Sequence, residues 1–129
     1  MKYIITIGDV HGCIRELDEL LNKIELISGE KRIVFLGDIL DRGPESLACI
    51  RRIREIKAEC VRGNHEDNFL KWVCCDVNFK SSEKSNPRKP QSHVSKSHNK
   101  HIKLEEIAWL RVLPHAIKLT NNLYAIHGG

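Results

Sequence analysis

Apolar positions alternate along this chain between two rhythms. Tyr3–Ile7, Arg32–Leu36 and Glu59–Val61 are short runs ending in β-branched or bulky apolar residues, and they predict three strands. Between the first two, Ile14, Leu17, Leu20, Leu21, Ile24 and Ile27 fall three or four apart. Leu47, Ile50, Ile53 and Ile56 do the same after the second. Each series predicts an amphipathic helix with one buried stripe. Ser28-Gly29 ends the first helix, and Pro44 suits the first turn of the second. A third helix, about 67–77, carries Phe69, Leu70, Trp72 and Val73. Strand and helix in alternation, with short turns, form the βαβ pattern of a parallel sheet covered by helices.

The rhythm stops between Asn78 and Lys103. Six serines, Pro87, Pro90 and a run of lysines predict a flexible polar loop there. Order returns with a helix over Leu104–Leu113, closed by Pro114. Two strand-like runs follow, Ala116–Leu119 and Leu123–Ile126, joined by the hairpin signal Asn121-Asn122. The expectation is one α/β domain over residues 1–129 with a flexible basic insertion at about 78–103.

Composition narrows the class. A chain of 129 residues with 41% hydrophobic and 29% charged residues has enough material for a core and reads as a soluble globular protein. The apolar start, Ile4–Ile7, stops at Gly8-Asp9, too short for a signal peptide or a membrane span. The net charge of +4 is uneven: Lys80–Lys103 carries +6 and the remainder −2. That segment is either a solvated insertion or a lid that recognises polyanions. Phe79 beside it is a lone aromatic, so a dedicated nucleic-acid groove is not expected. Five cysteines without a Cys-x-x-Cys pair are expected to be reduced thiols of a cytoplasmic protein. Cys74-Cys75 are expected to pack on a helix rather than form a redox pair.

Chemistry collects where strands end. The turns are Gly8-Asp9-Val10-His11-Gly12, Gly37-Asp38-Ile39-Leu40-Asp41-Arg42-Gly43 and Arg62-Gly63-Asn64-His65-Glu66, and the last strand-like run leads into His127-Gly128-Gly129. A parallel sheet sets the first three turns side by side at the edge where ligands bind in open α/β folds. Carboxylates, imidazoles and an amide oxygen suit divalent cations, and the absence of cysteine argues against a structural zinc site. Carboxylates converging in a cleft need a cation, because their repulsion would otherwise protonate one of them. Two cations sharing a carboxylate satisfy this, and Asp38, on the middle turn, is the natural bridge. Such a pair can clamp a phosphate and activate a water. Simpler readings stand beside this one: Asp9 and Gly12 as turn formers, Asn64 as a helix N-cap, Asp41–Arg42 as a surface pair. Arg62 is read as structural or as a peripheral phosphate contact, and His115 as a packing or surface histidine.

These four blocks, in this order, resemble the signatures of the calcineurin-like metallophosphoesterases. Within that family they resemble the phosphoprotein phosphatase branch, which includes bacterial and phage serine/threonine phosphatases and symmetrical diadenosine tetraphosphatases. The resemblance implies a layered β-sandwich flanked by helices, of which this chain carries the N-terminal half. It implies that Asp9 and His11 bind one metal, that Asp38 bridges two, and that Asn64 and His127 bind the second. His65 would be the general acid, Asp41 its orienting partner, and Arg42 the phosphate clamp, with Asn64 also touching substrate. Manganese is the expected cation, iron and zinc the alternatives. The implied reaction is a single in-line attack by an activated water, and no activated serine or cysteine signals a covalent route. A phosphorylated protein is the first substrate expected. A dinucleoside tetraphosphate is the alternative, and an inactive metal-binding fragment a third. The family's second half would add another histidine and arginine, so the chain is expected to be a fragment or a truncated member.

Overall fold

The structure is a computed structural model that describes residues 1–78 and 101–128, the side chains of 74–78 excepted. The expectations for the basic insertion and for Cys74-Cys75 lie outside the described residues. Three parallel strands form the sheet in the order β1-β2-β3: β1 (Lys2–Ile7), β2 (Glu30–Phe35) and β3 (Glu59–Cys60). Ile7 pairs with Phe35, and Phe35 with Cys60, so the three strands finish level. The ladder runs one residue further through Leu36 N–H to Ile7 O and Val61 N–H to Phe35 O.

Alternation along β2 assigns its two faces. Phe35 lies in the main core with Ile7, Cys60 and the apolar stripes of α1 (Ile14–Glu25), α2 (Ser46–Glu55), α3 (Asn64–Asn78) and α4 (Leu104–Arg111). Val34 faces the other way and packs with Val61 and Ala125. Ala125 belongs to an antiparallel hairpin, β4 (Ala116–Thr120) and β5 (Leu123–Ile126), which turns at Asn121-Asn122 as the sequence predicts. Helices therefore cover one face of the sheet and the hairpin part of the other. Ile4, Leu123, Tyr124 and Ile126 stay exposed.

Most element ends shift by one or two residues from expectation. The larger departure is α3, which starts at Asn64 rather than near Asp67. Glu66 supplies the reason: its carboxylate accepts the N–H of Gly63, three residues back, as a capping-box glutamate does. Pro44 precedes α2 by two residues instead of opening it. Among the described side chains, Cys13, Cys49 and Cys60 are free thiols. Burial pushes Cys49 up to about 12 and raises Cys60 as well, so both stay protonated and unreactive.

Candidate metal centre

The first two turns at the level strand ends are knitted together by backbone, and the third joins them through His65 N–H, which donates to Asp38 Oδ1 at 3.1 Å. Asp38 O accepts N–H groups of Val10 and His11, and Ile39 O accepts that of Gly12. In return, Gly43 N–H donates to His11 O and Glu45 N–H to Gly12 O. Such close approach forces glycine at particular points. A Cβ on Gly63 would overlap the carboxylate and backbone nitrogen of Asp38, and one on Gly37, at φ +93°, would lie 2.8 Å from Gly63 Cα. His11, Asp38, Asp41 and Arg42 also have positive φ, with Lys57 the one other such non-glycine residue among those described. Left-handed backbone is costly for L-residues, and its concentration in two turns marks a constrained site.

That constraint aims the side chains at one another. His11 Nδ1 donates to Leu40 O at 2.8 Å, which turns Nε2 inward, 3.6 Å from Asp9 Oδ2 and 3.8 Å from Asp38 Oδ2. His127 Nδ1 donates to Leu36 O at 2.9 Å, and its Nε2 lies 3.3 Å from the same Asp38 oxygen. In both rings a backbone carbonyl selects the tautomer whose free nitrogen faces inward, as in histidines that bind metals. Ligand atoms of Asp9, Asp38 and His127 lie within 4.8 Å of one another, and so do those of His11, Asp38 and His65. Asp38, buried, is common to both groups.

The donor set fits a cation. His11 Nε2, His127 Nε2 and the carboxylates of Asp9 and Asp38 are all acceptors. The Asn64 amide lies 2.9 Å from His127 Nε2. Turned nitrogen inward, it donates to both Asp38 oxygens at 3.2 Å; turned oxygen inward, it adds another acceptor. Beside this cluster, His65 Nδ1 donates to Asp41 Oδ2 at 2.9 Å, and its ring meets His11 edge to face at 4.8 Å. The Asp41 backbone is itself held by Ser46, whose hydroxyl accepts its N–H at 3.0 Å. Arg42, next in the chain, is exposed.

The calcineurin-like phosphoesterase family profile matches residues 2–129. The chain belongs to the calcineurin-like phosphoesterases. A symmetrical bis(5'-nucleosyl)-tetraphosphatase of Janthinobacterium sp. (strain Marseille) is 36% identical across 95% of this chain and 42% of its own length. Serine/threonine-protein phosphatase 1 of Salmonella typhimurium is 38% identical across 54% of this chain and 32% of its own. A solved structure presented as a candidate diadenosine tetraphosphatase superposes with a TM-score of 0.75 at 27% identity, over 98% of this chain and 50% of that one. The chain thus spans half or less of the length of these relatives. The sheet, helices and hairpin are those of the α/β metallophosphoesterase fold, a family with a dimetal centre.

Set against the sequence reading, Asp9, His11, Asp38, Asn64, His65 and His127 are brought together, with Asp41 behind His65. Arg62 takes the structural alternative: its guanidinium bonds Asp67 and the Arg111 carbonyl, and its N–H donates to Pro114 O. His115 is a surface histidine, 3.8 Å from Asp67. Sequence reasoning passed over Ser46, which carried no signal, and the role of Glu66, whose spacing from Gly63 was legible as a cap. Burial pushes the Glu66 carboxyl up, and backbone N–H groups of Gly63 and Leu40 pull against that rise.

Proposed function

We propose that this domain hydrolyses phosphate esters and anhydrides with two divalent cations, and that its substrate is a dinucleoside polyphosphate. The observation that carries the chemistry is Asp38, a buried carboxylate on which ligand atoms of Asp9, His11, His65 and His127 converge. Asp9, His11 and Asp38 would hold one cation, and Asp38, Asn64 and His127 the other. Manganese is the favoured cation, with iron and zinc as alternatives. When bound, the pair would neutralise phosphate charge and lower the pKa of a water.

The remaining roles belong to side chains. The Arg42 guanidinium, exposed on the turn after Asp41, can grip two phosphate oxygens at once. His65 would give a proton from Nε2 to the departing oxygen, while Asp41 holds Nδ1–H and stabilises the imidazolium. The protein-phosphatase reading, first from the sequence, takes second place because that relative aligns over only 54% of this chain. The tetraphosphatase relative aligns over 95%.

The test is hydrolysis by the 129-residue chain, with added manganese, of diadenosine tetraphosphate, a phosphoserine peptide and 4-nitrophenyl phosphate. Turnover of the tetraphosphate at least tenfold above that of the peptide is expected. The reverse preference would restore the protein-phosphatase reading. Manganese binding without hydrolysis of any of the three would leave a metal-binding fragment.

A further inference from the structure

We propose that Glu66 is a positioning residue that presets both Asp38 and His11 for cation binding. The inference rests on the reading of Asp38 and His11 as ligands. Glu66 is fully buried, and its carboxylate accepts four backbone N–H groups. Oε1 takes those of Asp38 at 2.7 Å and Gly63 at 3.0 Å, and Oε2 those of Ile39 at 3.0 Å and Leu40 at 3.3 Å.

Three consecutive N–H groups pointing at one anion form a nest, the concavity that in other proteins cradles phosphate. The left-handed Asp38, at φ +53°, starts this one. Here the anion is internal, supplied from α3, 28 residues along the chain. The Gly63 N–H adds the third turn, so one carboxylate ties the second turn to the third.

The consequence reaches two proposed ligands by separate routes. At Asp38 the backbone is gripped directly, and the same turn accepts the Val10 and His11 N–H groups through Asp38 O. At Leu40 the residue that donates its N–H to Glu66 also accepts the His11 ring through its carbonyl. A loosened Leu40 releases the contact that keeps His11 Nε2 facing inward. Both Glu66 oxygens are taken up by backbone N–H groups, so its effect reaches the ligands through the turn.

Glu66→Gln keeps the size of the side chain but turns an NH2 toward two of the four donors. Its manganese affinity, measured by titration calorimetry on the 129-residue chain, should fall at least tenfold. Glu106→Gln is the control, because Glu106 is another fully buried carboxylate, paired with Arg51 away from the turns. That variant should lose thermal stability while its manganese affinity stays within twofold of the parent. Unchanged affinity in Glu66→Gln, or an equal loss in both variants, overturns the inference. If the unsubstituted chain binds no manganese, the site reading fails, and the inference fails with it.

Should Glu66→Gln not fold, amide exchange in the unsubstituted chain decides. The amides of Asp38, Ile39, Leu40 and Gly63 should exchange at least a hundredfold more slowly than unbonded loop amides. Exchange at loop rates overturns the inference.

Discussion

The proton donation proposed for His65 is the narrowest role in the site, and the geometry makes it testable. Asp41 fixes Nδ1, so the proton available for donation is on Nε2. An alkyl phosphate needs that proton when its poor leaving group departs, whereas 4-nitrophenolate does not. His65→Asn should therefore slow hydrolysis of an alkyl phosphate about a hundredfold or more, and 4-nitrophenyl phosphate far less, judged by kcat at saturating manganese. Equal losses on both would remove the general-acid role. At this scale the gathering of these residues was legible because residue types and spacing announced it. What spacing did not announce was backbone partnership: the carbonyls of Leu36 and Leu40, which orient His127 and His11, carry no side-chain signature.

Elements are held in register by a few ion pairs that the pattern of apolar stripes does not encode. Arg51 on α2 forks onto Glu106 on α4 at 3.0 Å, and Arg32 on β2 binds Glu59 on β3 as well as the carbonyls of Lys118 and Leu119 on β4. Burial pushes the Glu106 carboxyl up, but the Arg51 pair and the Lys103 N–H outweigh it and hold the group below 4.5. The Arg32 hydrogen bond likewise lowers Glu59. A carboxylate with a depressed folded pKa releases its proton more readily when folded than when unfolded. Its stabilisation is thus complete above about pH 4.5 and is lost as pH falls through the folded value. Arg51→Met should cost about 2 kcal/mol at pH 7, because a buried acceptor loses its charged partner. The gap between the two urea midpoints should close as pH drops below about 4.5. A gap independent of pH would mean that Arg51 acts through packing alone. Element type and order were readable from periodicity, since each element buries one face. The start of α3 was missed although its signal is local, the Glu66 carboxylate three residues into the helix that accepts the Gly63 N–H.

Across the whole molecule, the three turns and the hairpin's last residues meet where no continuous segment of chain could place them. Cations held only by this folded arrangement must stabilise it by mass action. Manganese at a hundred times its Kd should raise the unfolding free energy by about 2.7 kcal/mol per site, seen as a higher Tm. Asp38→Asn should abolish that rise and lower occupancy of both sites in a calorimetric titration. Loss of one site alone would refute a shared carboxylate. Sequence by itself determined the α/β alternation and the residue types gathered at the strand ends, because apolar period and turn composition are local properties. Tertiary structure alone decided which imidazole nitrogen faces inward and how His127, from the hairpin, reaches Asp38. It also decided that the Glu66 carboxylate fills the nest that begins at Asp38. Those outcomes depend on backbone groups brought together across 26 to 91 residues of chain, and hydrogen bonds between such distant groups leave no pattern in the order of side chains.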